Sequence, residues 1–311
     1  MSWFLQNVFF RIAVSFYFIT SAYFFFKSLE FKNGKITKSK ENSAKLKKYW
    51  LRLVLLYSVW SLIYLLWSIP SWIETGWFSF KAFVDFGLSA VFNTSYYHLW
   101  FLVRLIYVIP LMYLILRHFQ VKFFILLSVL IYIVGLFYRG SYTWVGLPLS
   151  DNMSSLPYYL SGFRTALFVV MPICSISLLV DRIRQWKNQI IYLLTALSML
   201  IYFSENIFLR ALLGDYELLS YLVFSTLPMT LMLLASVCSI SITIKHHLSL
   251  RKLSTLIYVI HPLVIGVINR IISDSKIDSV LYYLIIALIS FVLSLVIYLL
   301  SKRVKILKYI M

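Results

Sequence analysis

The sequence predicts an all-α, polytopic membrane helix bundle, and three observations predict it. The chain of 311 residues is 61% hydrophobic and only 13% charged, too little polar surface to cover a soluble domain of that length. Its apolar residues run in repeated stretches of about 20, the length a helix needs to cross a hydrocarbon core. The 29 Lys and Arg residues, which set the net charge at +18, gather in short segments between those stretches. That placement argues against a nucleic-acid partner and for a lipid bilayer.

Taken in order, apolar runs bounded by charges and turn residues give nine spans: 5–26, 50–69, 98–116, 121–138, 158–180, 189–204, 218–243, 253–272 and 280–301. No internal repeat or long low-complexity tract divides them, so residues 1–311 read as a single membrane domain. The segments alternating onto one side hold 21 of the 29 basic residues, including nine in 27–52, and the opposite side holds five. Arg11, Arg104 and Arg164 fall inside spans. The basic side is therefore expected in the cytoplasm. That puts the C-terminus inside and the short N-terminal tail outside, an arrangement also expected of a ten-span protein that lacks its first helix. The opening MSWFLQN has no basic region to mark a cleavable signal peptide. Cys174 and Cys238 each lie in an apolar run, so neither a disulfide framework nor a metal site is expected.

Signatures of soluble enzymes are absent: there is no G-x-S-x-G elbow, G-x-G-x-x-G loop, Walker loop or H-E-x-x-H helix. What the chain offers instead is polar residues inside spans, which are costly in lipid and usually face a bundle interior or a wet cavity. Four stretches stand out: FFRIAVSFYFITSAYFFFK from Phe9, HLWFLVRLIY from His98, FRTALFVVMPI from Phe163 and LSTLIYVIHPLV from Leu253. In that order they resemble membrane-bound acyltransferase family 3, the fucose-4-O-acetylase-like proteins of bacteria. The resemblance covers the chain from Phe9 onward.

That resemblance implies transfer of an acyl group, usually acetyl from acetyl-CoA, to a hydroxyl of an extracytoplasmic glycan. It implies a multi-pass protein of the bacterial plasma membrane, with acetyl-CoA as donor rather than resident cofactor. Such chemistry needs a base for the sugar hydroxyl, for which histidine is suited, and cations for the CoA phosphates and the developing oxyanion. The candidate catalytic residues are His98 and His261. Arg11, Arg164, Trp100 and Tyr258 are candidates for substrate binding, and Lys48 and Arg52 for the CoA phosphates. No metal ligand is expected.

Each candidate has a plainer reading. His98 beside Trp100 could be an interfacial histidine next to an aromatic anchor. Arg104, about 9 Å deeper along a helix of 1.5 Å rise and about 240° around it, is expected to pair structurally. Arg11 shares a stripe with Asn7 and Ser15, and both it and Arg164 could simply hold helices together. Lys48 and Arg52 belong to a segment that the positive-inside bias already explains. His261 shares a face with Ser254 and Tyr258, and Pro262 frees the carbonyl of Tyr258, which looks like cavity lining. The family's first helix, carrying an Arg and a catalytic His about ten residues on, has no match here, so little activity is expected of this chain alone. The rival class is a non-enzymatic protein: a polysaccharide translocation factor or a degenerate relative.

Overall fold

The computed structural model describes residues 8, 10–145, 161–213, 223–240, 247–271 and 279–304. These residues are helical almost throughout. Helix α1 is Phe10–Lys27, α2 Lys40–Glu74, α3 Phe80–Phe92, α4 Trp100–His118 and α5 Val121–Arg139. A composite helix α6 runs Ser161–Ile183, followed by α7 Asn188–Leu213, α8 Thr226–Ser239, α9 His247–Ile271 and α10 Ser279–Ser301. The only strands among the described residues are β1, Phe31–Lys32, and β2, Lys35–Ile36.

Among the described residues, seven helices are long and apolar enough to cross a membrane by length and composition: α2, α4, α5, α6, α7, α9 and α10. The expected spans 5–26 and 218–243 correspond to α1, with Arg11 and Lys27 at its ends, and to α8, which has only 14 residues. Part of 218–243 lies outside the described residues.

Two features depart from the predicted pattern. Helix α2 begins ten residues before its apolar run, so Lys45, Lys48 and Arg52 are already helical. Ahead of it, Asn33 and Gly34 take φ of 53° and 72° and turn the chain into a small antiparallel hairpin, the geometry that Asn-Gly favours. Buried Asn42 locks this hairpin: its amide donates to the carbonyls of Glu30 at 3.1 Å and Thr37 at 3.0 Å. The second departure is in α6, where Ala166–Val170 winds as a π turn just ahead of Pro172. Proline has no N–H to give the carbonyl four residues back, and a wider turn accommodates the loss.

The chain forms two compact units. The first comprises Met1–Leu51, Val91–Asn93 and Phe101–Ser241. In it α1 lies against the middle of α6 and against α8, and α7 lies against α8. Val8, Ile12, Tyr202, Leu209, Val223 and Met229 form one apolar core, and Ile183, Ile191, Met232 and Ala235 another. Hydroxyls tie these helices by donating to main-chain carbonyls, Tyr132 to Val223 at 2.7 Å and Thr195 to Met232 at 3.0 Å.

The second unit comprises Arg52–Ala90, Thr94–Trp100 and Ile242–Met311. Its frame is the pair α9 and α10 together with most of α2. Buried Tyr64 of α2 donates to the carbonyl of Val259 on α9 at 2.7 Å, and Ser249 of α9 bonds Tyr298 of α10 at 2.6 Å.

Candidate active site

His98 does not stand on a helix. The span predicted from residue 98 begins as a helix only at Trp100, and Thr94–Leu99 form a tight turn. Three bonds shape that turn. The Leu99 N–H donates to the Tyr96 carbonyl at 3.0 Å, Thr94 Oγ1 donates to the same carbonyl at 2.6 Å, and Ser95 is held from α2. The Ser95 N–H donates to Tyr57 Oη at 2.9 Å, and its hydroxyl lies 2.6 Å from that of Ser61. Tyr57 itself donates to the Ala90 carbonyl at 2.6 Å. Two turns of α2 thus fix the register of the segment that delivers His98.

The imidazole of His98 enters a ring of aromatic side chains. Ring centroids lie at 4.8 Å from Tyr64, 5.7 Å from Tyr96, 5.5 Å from Tyr97, 5.6 Å from Tyr258 and 5.7 Å from His261. Tyr96 stacks on Tyr64 at 4.2 Å and 22°. The Tyr258 hydroxyl donates to the main-chain carbonyl of His98. His98 is only 7% exposed, and neither Nδ1 nor Nε2 has a hydrogen-bond partner among the described residues. A buried polar group with no partner is unusual and costly.

His261 is different. Its Nδ1 lies 3.2 Å from the Ile257 carbonyl, and a carbonyl can only accept. In the neutral ring Nδ1 therefore carries the hydrogen and the lone pair remains on Nε2. One turn of α9 thus sets the tautomer that leaves a basic nitrogen. His98, Tyr258 and His261, three residues singled out in the sequence, are brought together within the second unit. Of the predicted stripe, Ser254 is exposed, while Tyr258 and His261 are half-buried. Trp100 opens α4 just beyond the site and is half-buried.

The other candidates stand elsewhere in the chain. Arg11 and Arg164, both half-buried, belong to the first unit, and Asn7 of the Arg11 stripe is outside the described residues. Lys48 and Arg52 are exposed, one turn apart on α2. Arg104 is 3% exposed and grips Asn93, with Nη1 at 2.6 Å from its carbonyl and Nη2 at 2.8 Å from its side-chain oxygen. Gly162 permits this clamp, because a Cβ there would stand 2.7 Å from Arg104 Nη1 and 2.2 Å from the Phe92 carbonyl. Among the described residues no cluster of His, Cys, Asp and Glu could hold a metal ion.

Sequence reading missed Glu205. The predicted span closed at 204, whereas α7 runs on to Leu213. The Glu205 carboxylate accepts the N–H groups of Phe224 and Ser225, each at 2.8 Å, and the hydroxyls of Ser225 and Tyr142. It sits at the N-terminus of α8, where the helix dipole favours an anion. Burial, and then the bond to the Glu205 carboxylate, push the Tyr142 phenol above its ordinary pKa, so it stays a donor at neutral pH. Beside them opens a cavity of about 630 Å³ lined mainly by Leu200, Ile201, Phe208 and Phe224. The signal available in the sequence was one acidic residue at the edge of an apolar run.

A family model for an acyltransferase domain matches residues 1–299. The chain is also 25% identical over 309 residues to an amino-acid racemase of Enterococcus faecalis, an alignment covering 96% of this chain and 42% of that protein. It thus spans less than half the length of that curated relative. No solved structure matches. With a helical bundle built for a bilayer and a family match over nearly its whole length, the chain belongs to acyltransferase family 3 and is a multi-pass membrane protein of that family.

Proposed function

We propose that the chain is an O-acyltransferase that moves acetyl from acetyl-CoA to a hydroxyl of a cell-surface glycan, in the bacterial plasma membrane with its basic side cytoplasmic. The observation that carries this reading is His98, buried with both ring nitrogens unmatched beside the basic nitrogen of His261. A sugar hydroxyl supplies what that ring lacks. One nitrogen accepts the hydroxyl proton as the oxygen attacks the thioester carbonyl. The C–O bond forms, the C–S bond breaks, and the proton passes to the departing thiolate of CoA. His261 is the second proton acceptor, and the tyrosine faces around His98 receive the apolar face of a sugar ring. Trp100 and the ring face of Tyr258 are assigned to the acceptor, while the Tyr258 hydroxyl holds the His98 main chain; Arg11 and Arg164 are assigned to anionic groups of the substrates, and Lys48 and Arg52 to the CoA phosphates.

The test is transfer of labelled acetyl from acetyl-CoA to surface glycan in cells expressing the chain or its His98→Ala and His261→Ala variants, at matched membrane protein. Label on the glycan that disappears with His98→Ala supports the reading. No label from the intact chain, with reduced glycan export on its deletion, favours a translocation factor. The relative's racemase name attaches to a protein more than twice as long as the shared part, and we assign no racemisation to this chain.

A further inference from the structure

Helix α3, Phe80–Phe92, is not used by the site, and its surface is unlike that of the spans. Its 13 residues measure about 20 Å at 1.5 Å per residue, too short for a hydrocarbon core of about 30 Å. None of its residues is buried, yet nine of the 13 are apolar. The side chains fall into three arcs. Phe83 and Phe86 turn toward the unit and meet Trp72 of α2 at ring distances of 5.7 and 6.0 Å. Phe80, Val84 and Leu88 recur every four residues and stand 85%, 43% and 40% exposed. Lys81 and Asp85, one position further round and also exposed, form a narrow charged edge. Trp77, 72% exposed, and Phe78 extend the apolar arc at the helix start.

A water-facing helix would not present such an arc, and a spanning helix would not carry the charged edge at mid-length. The combination is that of a helix lying in the membrane–water boundary, apolar side down and charges toward water, with aromatics at headgroup depth. Continuity supplies the second argument. Helix α3 follows the end of the spanning helix α2 after only five residues, so chain connectivity holds it at the bilayer surface. Helix α2 likewise leaves Leu62, Leu66 and Ile73 exposed.

We infer that α3 is an interfacial anchor whose Phe80–Val84–Leu88 face is seated in the lipid leaflet on the side opposite the basic hairpin. Its occupant is the bilayer itself rather than another protein. Nitroxide labels at Phe80→Cys, Val84→Cys, Leu88→Cys, Lys81→Cys and Asp85→Cys, in a Cys174→Ala, Cys238→Ala background, test this in phosphatidylethanolamine–phosphatidylglycerol vesicles. Positions 80, 84 and 88 should be relaxed by oxygen and shielded from a water-soluble nickel chelate, with 81 and 85 showing the reverse. Nickel access at all five overturns the inference, and so does shielding of 80, 84 and 88 from both reagents, which would mean a protein cover. A check free of labels compares fluorescence quenching by brominated lipids in the native chain and Trp77→Phe. The variant should lose a lipid-quenched component, and an unchanged quenching profile counts against the anchor.

Discussion

Two clusters of polar side chains sit among apolar helices, and they differ in how completely their hydrogen bonds are made. Around Glu205 every acceptor position is used: two main-chain N–H groups and two hydroxyls converge on one carboxylate. Around His98 the ring nitrogens have no partner among the described residues, although the surrounding main chain is bonded with care. A saturated cluster fastens helices and has nothing left to offer a substrate. An unsaturated one keeps its cost until a ligand arrives, and that asymmetry is how a binding site differs from a rivet.

The comparison is broken most directly at His98. His98→Ala should lower acyl transfer by about 10²-fold or more, the usual consequence of losing a general base, while the amount of folded protein in the membrane stays the same. Deleting a ring with no hydrogen bonds of its own removes no hydrogen bond from the fold. Parallel loss of protein and transfer would place His98 among the fastenings instead.

Glu205→Gln should do the opposite. One neutral oxygen cannot satisfy four donors, and the loss is about 3 kcal/mol, on the scale of one or two bonds to a charged group. The thermal midpoint of the detergent-solubilised protein should fall, with transfer per folded molecule unchanged. If transfer per molecule falls as well, the cavity beside Glu205 takes part in function.

Tyr142→Phe sharpens the same side of the comparison with a smaller effect, about 1 kcal/mol for one hydrogen bond. The pH dependence has a defined sign. The folded-state pKa of Tyr142 is raised, so its contribution is fully present below the ordinary tyrosine pKa and disappears as pH rises through the raised value. Stability measured across neutral pH should be flat for this bond, with an alkaline decline that Tyr142→Phe reduces.

The legibility of these clusters in the sequence followed their range along the chain. Apolar run length is a local property, and the seven qualifying helices all overlap predicted spans. The hairpin at Asn33-Gly34 was also legible, since the dipeptide announces the turn, but the basic charge around it drew the reading toward topology alone. His98 reads as helical because the run after it, LWFLVRLIY, is apolar but for Arg104; the bonds from Tyr57 and Ser61 that hold its turn come from more than 30 residues away. His98 and His261 are separated by 163 positions, and no periodicity can reveal that their rings meet. Glu205 failed for the same reason, its partners Tyr142 and Ser225 being 63 and 20 residues distant.

An effect as small is expected at Tyr258, where binding and positioning can be separated. Tyr258→Phe keeps the ring contacts with His98 and His261 and removes only the hydroxyl that donates to the His98 carbonyl. The loss is about 1 kcal/mol, equivalent to about a fivefold change in an equilibrium or rate. Its location in the kinetics is what discriminates. If the hydroxyl holds the His98 turn in place, kcat falls about fivefold and the KM for the glycan acceptor stays where it was, because the imidazole is displaced from the reacting oxygen but the sugar still binds. If the hydroxyl touches the acceptor, KM rises and kcat is preserved, the mark of binding energy shared equally by ground and transition states. The observed bond runs to the His98 main chain, so the first outcome is expected, and a pure KM effect would return Tyr258 to the substrate.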